Sequence, residues 1–163
     1  MTSTAIALLV AALDEAFERR SWHGTNLRGA LRRVNVATAA WRPAPERHNT
    51  WELAVHCAYW KYAVWRRVTG EKRGSFALGG SNWFARPCPG EATEAAWKAD
   101  RQLLVDQHRR LREAVAALAP RDLDRRVPGS PFPLGRVIQG AAAHDLYHAG
   151  QIQLLKRLAN ASG

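Results

Sequence analysis

The amino-acid sequence predicts an all-α protein, a four-helix bundle built as one domain over residues 1–163. Apolar residues recur at spacings of three and four in four long segments, and no segment shows the strict alternation of a half-buried strand. No internal repeat is visible, and 163 residues are enough for one domain with its own core. Short extra helices and one long aromatic loop complete the predicted architecture.

The first long helix is expected over residues 3–20, where Ser3 or Thr4 provides the N-cap. Asp14 and Glu15 interrupt its apolar run and no basic leader precedes it, so an amphipathic helix is favoured over a signal peptide. The predicted apolar stripe consists of Ile6, Leu9, Leu13 and Phe17.

Two shorter helical pieces are expected after a break at residues 21–24. The first has an apolar side, and residues 37–40 can add one more turn. Pro43 and Pro45 then end regular structure, because proline favours an extended conformation in the residue before it. The apolar side consists of Leu27, Leu31 and Val34.

The second long helix is expected over Thr50–Val68, with Asn49 or Thr50 as its cap and Gly70 at its end. The pattern places His56 on the buried face of this helix, although an imidazole is costly to bury without a partner. The predicted apolar stripe consists of Leu53, His56, Trp60, Ala63 and Val64.

Residues 71–90 are rich in glycine, proline and serine, which predicts a long loop. Phe76, Trp83 and Phe84 lie within it. Two interpretations stay open: the loop is a lid or partner surface, or its aromatic rings simply pack onto the bundle.

The third long helix is expected over Glu91–Leu118, followed by a connection over residues 119–132. His108 lies on its apolar stripe and is a further candidate ligand. Polar neighbours, including Gln107 and Arg109, indicate instead that the stripe is exposed to solvent near His108. His108 is therefore a minor candidate for the site.

The fourth long helix is expected over residues 133–158 and carries two histidines four positions apart, His144 and His148. On a helix this spacing sets both imidazoles on one face, one turn apart. Asp145 follows His144 where the zincin motif needs glutamate, so the HExxH protease class is excluded. By itself the pair fits a metal site and hydrogen-bonded core histidines equally well.

His56 favours the metal interpretation, because facing helices of a bundle build metal sites from inward side chains. His56, His144 and His148, hereafter the triad, would supply three neutral imidazoles and leave at least one coordination position open. Zinc, nickel, iron and copper all accept imidazole ligands, and the pattern does not choose among them. The sequence therefore predicts a divalent metal at the triad, with no catalytic residue assigned.

Other polar and aromatic residues are candidates to orient a ligand or to line a pocket beside the metal. For the neighbouring carboxylates, Glu52 and Asp145, a solvent-facing position is favoured over such a role. His48 is expected to be structural, in the turn before the second long helix. The candidates for the pocket are His23, Trp60, Tyr147 and Gln151.

The composition favours a cytoplasmic protein that binds neither nucleic acid nor membrane. The net charge of +10 comes from arginines scattered through every segment, without the interleaved aromatics of a single-strand platform. Cys57 and Cys88 form no CxxC pair, which indicates a reduced compartment and no disulfide framework. No apolar run reaches about 18 residues, so no membrane span is expected.

Four motifs taken together resemble the DinB/YfiT-like superfamily over roughly residues 4–158. They are WHGTNL at 22–27, AWRP at 40–43, HNTWELAVHCAYWK at 48–61 and HDLYHAGQI at 144–152. The resemblance implies an antiparallel four-helix bundle that forms homodimers. It also implies a divalent metal held by three histidines, which fall on His56, His144 and His148.

Some members of this superfamily are S-transferases that use low-molecular-weight thiols such as bacillithiol or mycothiol, and one lineage is a maleylpyruvate isomerase. A metal-dependent enzyme that acts on a small molecule is therefore expected, either a thiol S-transferase or a hydrolase, and the resemblance is what favours thiol transfer. The alternative is a non-catalytic, metal-binding and dimerising bundle with a structural or sensing role.

Overall fold

A computed structural model describes residues 4–161, and within this range the chain forms helices and no β-strand. The prediction of an all-α protein is confirmed. Ser3, one of the two proposed caps of the first helix, lies outside the described residues. The helices are α1 (Thr4–Phe17), α2 (Leu27–Ala30), α3 (Val36–Ala40), α4 (Thr50–Thr69), α5 (Glu94–Ala116), a 3-10 helix (Pro120–Asp124) and α6 (Leu134–Ala161).

Capping residues explain where α4 begins and ends and where α5 begins. Asn49 accepts a hydrogen bond from the Glu52 backbone N–H, and Glu52 accepts one from the Asn49 backbone N–H, so α4 begins with a capping box. Gly70 ends α4 in the left-handed conformation, at φ 81°. The Thr93 hydroxyl caps α5, which is why α5 begins three residues later than the sequence pattern predicts.

The four long helices pack around two clusters of buried apolar side chains. α4 packs against α5 and α6, and α1 also packs against both α5 and α6, so the contacts close a ring. Trp51 and Trp97 are completely buried where α4 faces α5, with ring centroids 5.3 Å apart. Ile138 of α6 and Leu13 of α1 are also fully enclosed. This ring fixes α4 and α6 side by side, and these are the helices that carry the triad.

The loop over residues 71–90 packs onto α4 through its aromatic rings. Phe84 is 7% exposed and lies 5.5 Å from the Tyr59 ring, and Phe76 lies 5.4 Å from the same ring. Trp83, by contrast, remains 36% exposed and stacks on His56. Two rings therefore pack onto the core, as one of the two interpretations expects, and Trp83 covers the triad.

No helix within residues 4–161 combines the length and the apolar character needed to cross a membrane.

Candidate metal centre

α4 and α6 bring the imidazoles of the triad together. His56 lies in the second turn of α4, and His144 and His148 lie one turn apart on α6. The Nε2 atom of His144 is 3.1 Å from Nε2 of His56 and 3.0 Å from Nε2 of His148. Within the described residues these side chains form a group of possible ligand atoms that all lie within 4.8 Å of one another.

In two of these rings, the hydrogen-bond partner of Nδ1 shows which nitrogen carries the proton. Nδ1 of His56 lies 2.8 Å from the backbone carbonyl oxygen of Asn82, and Nδ1 of His148 lies 2.6 Å from Oε1 of Gln151. Both oxygens can only accept, so both Nδ1 atoms carry hydrogen and both Nε2 atoms keep a bare lone pair. Both lone pairs face His144, whose single Nε2–H could donate to one of them.

A divalent cation fits this donor set. Burial, with a smaller contribution from the neighbouring histidines, lowers the pKa of His56 to about 4 and that of His144 to about 3. Burial also lowers the pKa of His148. Neutral imidazole is the form that binds metal, and metal–imidazole bonds of about 2.0–2.1 Å place donor atoms roughly 3 Å apart. A cation would satisfy the lone pairs that the hydrogen bonds leave unused.

Asn82 holds the loop against the triad, and the sequence interpretation missed it. Its backbone carbonyl accepts the His56 bond, and its side-chain oxygen accepts a hydrogen bond of 2.9 Å from Nε1 of Trp60. Its φ of 64° is in the left-handed region, which asparagine tolerates better than most residues. The adjacent Trp83 stacks on the rings of His56 and His48, at 3.9 and 3.6 Å between centroids.

The structure brings three of the four pocket candidates to the triad. Gln151 is hydrogen-bonded to His148, and the exposed Tyr147 ring lies 5.0 Å from the His148 ring. The Trp60 ring lies 6.2 Å from that of His144. The structure does not bring His23 to the triad: this residue is exposed, and its Nδ1 lies 3.2 Å from the hydroxyl of Ser21.

The expectation that Glu52 and Asp145 face solvent is wrong. Glu52 is 5% exposed and pairs with Arg42 and with Nδ1 of His48, at 3.1 Å for the latter. These contacts and the capping box give Glu52 a structural role. Asp145 is 1% exposed and forms a buried ion pair with Lys61 of α4. Both carboxylates are thus buried with a cationic partner.

The expectation that the apolar stripe of α5 is exposed to solvent near His108 is also wrong, since His108 is 3% exposed. It does not join the triad. Its Nδ1 lies 3.4 Å from Nζ of Lys61, its Nε2 lies 3.7 Å from Asp14, and its ring stacks on Phe17. His108 therefore belongs to a buried polar chain that runs from Asp145 through Lys61 to Asp14.

A second possible ligand group joins Cys57 and Asp145 to His144, again within 4.8 Å. Burial raises the pKa of the Cys57 thiol well above its usual value, and the charge of Asp145 raises it further. A protonated thiol is a poor nucleophile. Asp145 of this group is already paired with Lys61, so the imidazole triad is the better donor set.

Two cavities border the triad on different sides. The larger, about 610 Å³, is mostly apolar and reaches His148, Trp83 and Tyr147, with Arg47 and His48 also among its lining residues. The smaller, about 220 Å³, reaches His144 beside Trp60 and Arg67. The larger cavity falls within the range of about 300–1,000 Å³ typical of small-molecule sites, and the smaller lies below it.

A comparison with family models matches residues 6–152 to the family described as the DinB superfamily. No curated protein and no solved structure matches the chain. The match covers most of the chain, including all three histidines of the triad.

Proposed function

The chain belongs to the DinB superfamily, and from that premise we propose that it binds a divalent metal through His56, His144 and His148. The observation that carries the proposal is the arrangement of two Nε2 lone pairs, one on His56 and one on His148. The hydrogen bonds to Asn82 and Gln151 leave these atoms without a proton. Both lone pairs face Nε2 of His144, which can donate to one of them and not to both. Zinc, nickel, iron and copper suit three imidazoles, and three ligands leave a coordination position open. The closed ring of helix contacts supports an antiparallel four-helix bundle as the frame.

We further propose an enzyme that transfers a small-molecule thiol to an electrophile, or that hydrolyses its substrate, at this position. A bound divalent ion would supply Lewis acidity, which lowers the pKa of a thiol or of water. The two cavities support a reaction between two molecules. The larger, beside His148, suits an apolar substrate, and the smaller offers the Arg67 guanidinium to an anionic thiol. Trp83 would limit the access of water to the triad.

Metal content tests the site directly. Protein purified without a metal-affinity tag should contain about one divalent ion per chain, and the His56→Ala/His144→Ala/His148→Ala variant should contain none. His23→Ala is the matched control, because His23 is exposed and lies away from the triad. Equal metal content in the wild type and the triple variant would refute the proposed ligands.

Turnover tests the reaction. The metal-loaded protein should consume electrophiles in the presence of low-molecular-weight thiols, and His148→Ala should abolish this while circular dichroism shows an intact fold. Complete inactivity of the loaded wild type across metals, thiols and hydrolysable substrates would contradict an enzymatic role while leaving the metal site untouched.

A second candidate function is a non-catalytic metal-binding homodimer with a structural or sensing role. The triad would link α4 to α6 beside the Lys61–Asp145 pair, so metal would add stability. Tyr147 and Leu154 are 64% and 58% exposed on α6 and could pack against a second copy. Chelation should then lower the melting temperature, and sedimentation should give a dimer. Free Cys57 and Cys88 would suit a reduced, cytoplasmic setting.

A further inference from the structure

A cavity of about 840 Å³ lies apart from the triad, between the end of α1, α2, α5 and α6. It shares no lining residue with either cavity that borders the triad. Among its lining residues in the described part of the chain, Glu18 is the one acid. The basic lining residues are Arg19, Arg20, Arg28, Arg32 and Arg101.

Most of this positive charge has no counter-charge. Arg28 forms an ion pair with Glu18. Nε of Arg19 lies 3.5 Å from Asp14, but that carboxylate also accepts a hydrogen bond of 2.8 Å from Arg112. The remaining three guanidinium groups form no ion pair within residues 4–161. These are the side chains of Arg20, Arg32 and Arg101.

The arginines reach the cavity from separate parts of the chain. Arg20 follows α1, Arg32 follows α2, and Arg101 lies on α5 with its guanidinium 5.7 Å from the centre of the Trp97 ring. Stacking on an aromatic face holds a guanidinium in place. The charges therefore converge on one concavity, whereas a solvated helix face would spread them along a single element.

Lys156, which lies beside this cavity, is exposed to the same positive electrostatic field. Nζ of Lys156 donates hydrogen bonds of 3.0 and 3.1 Å to the carbonyl oxygens of Ala30 and Arg32. Burial lowers the pKa of Lys156, and repulsion from Arg33 and Arg32 lowers it further. Like charges gathered at this density are unfavourable until an anion neutralises them.

We propose that this arginine-lined cavity binds a small anion that carries two or more phosphate groups. The planar guanidinium fork forms paired hydrogen bonds with phosphate oxygens, and several arginines around one cavity match an anion with several phosphates. The volume of about 840 Å³ falls within the range of about 300–1,000 Å³ typical of small-molecule sites. A nucleic-acid backbone would instead need a long basic track. The site is independent of the proposed reaction at the triad.

Inorganic pyrophosphate is the first probe, titrated calorimetrically at low ionic strength into the full chain. The His56→Ala/His144→Ala/His148→Ala variant is used alongside the wild type, because pyrophosphate also binds divalent metals. Saturable binding of one pyrophosphate per chain is expected in both proteins. The same titration with orthophosphate should give at least tenfold weaker binding.

Charge removal locates the site. Arg20→Gln/Arg32→Gln should weaken pyrophosphate binding at least tenfold, and Arg101→Gln should weaken it separately. Arg121→Gln/Arg126→Gln removes the same charge from exposed arginines elsewhere and should change the affinity less than twofold. Circular dichroism checks that each variant folds.

Three outcomes would overturn the proposal. One is the absence of pyrophosphate binding at millimolar concentration. Another is equal weakening in the two double variants, which would indicate a general charge effect. The third is salt-sensitive binding of a duplex oligonucleotide without binding of pyrophosphate, which would assign the patch to nucleic acid.

Discussion

Replacing Lys61 with methionine nearly preserves the length of the side chain, removes its charge and leaves the carboxyl group of Asp145 buried alone. The two side chains of the pair are 2% and 1% exposed. Among the described residues, Oδ1 of Asp145 has no hydrogen-bond partner even with Lys61 in place. Breaking such a buried pair from one side costs about 3–5 kcal/mol. For a chain of this size, that corresponds to a fall in melting temperature of roughly 6–20 °C.

The protonation state of Asp145 decides where in the range of about 3–5 kcal/mol the loss of stability in Lys61→Met lies. Burial raises the pKa of Asp145, and the charge of Lys61 opposes that rise. In Lys61→Met the pKa of Asp145 should therefore rise further, and the carboxyl group should take up a proton instead of remaining charged. We expect the loss of stability to lie near the lower end and to grow as the pH rises above about 4, where the unfolded carboxyl group has released the proton that the buried one keeps.

Urea unfolding of the metal-free protein measures the effect as a shift in the midpoint at constant slope. Arg109→Met is the matched control, since its pair with Asp106 is exposed, and it should cost about 0–1 kcal/mol. Lys61→Met/Asp145→Leu should recover most of the stability lost in Lys61→Met, because an apolar pair carries no desolvation cost. A cost below about 1 kcal/mol for Lys61→Met would refute the claim that this charge is desolvated.

Gln151→Leu should weaken metal binding about 10–100-fold, because His148 loses the acceptor that fixes its tautomer. A competition assay with a chelating dye measures this affinity. The same assay should show no such change for Gln139→Leu, the control, because Gln139 is exposed. Burial lowers the pKa of His108 from 6.5 to about 3. The unfolded chain therefore binds a proton below pH 6.5 that the folded chain does not, and the free energy of unfolding should fall by about 1.4 kcal/mol per pH unit from this residue as the pH drops towards 3. His108→Gln should flatten that slope, and an unchanged slope would contradict the shift. Glu52→Gln should lower stability by about 1–3 kcal/mol through its lost ion pairs and leave the metal stoichiometry at one, and loss of metal would contradict its structural role.

The sequence predicted the triad because helical spacing places His56 on one buried face and the HxxxH pair on another. The same rule explains the errors, since adjacent residues on a helix lie about 100° apart. The charged neighbours of His108 therefore point away from it and do not report its burial. Asp145 likewise points towards Lys61 on α4, although it adjoins His144. Asn82 lies in a loop without periodicity, so no spacing rule could predict its contact with His56.

The HxxxH spacing is compatible with more than one position of α6 along its axis relative to α4, and the triad alone does not choose between them. A shift of α6 by one turn, about 5.4 Å, would still place one of the two histidines opposite His56. The same shift would separate Lys61 from Asp145 and leave both charges buried without a partner. We infer that this ion pair selects the register in which all three imidazoles meet, as a single buried asparagine does in coiled coils.

The double variant Lys61→Met/Asp145→Leu separates this role from stability. Its apolar pair should restore most of the free energy of unfolding, but it gives no penalty against a shifted α6. We therefore expect a stable helical protein whose metal affinity is at least tenfold weaker than that of the wild type. Full metal affinity in this variant would show that packing alone sets the register, and that the buried charges have another purpose.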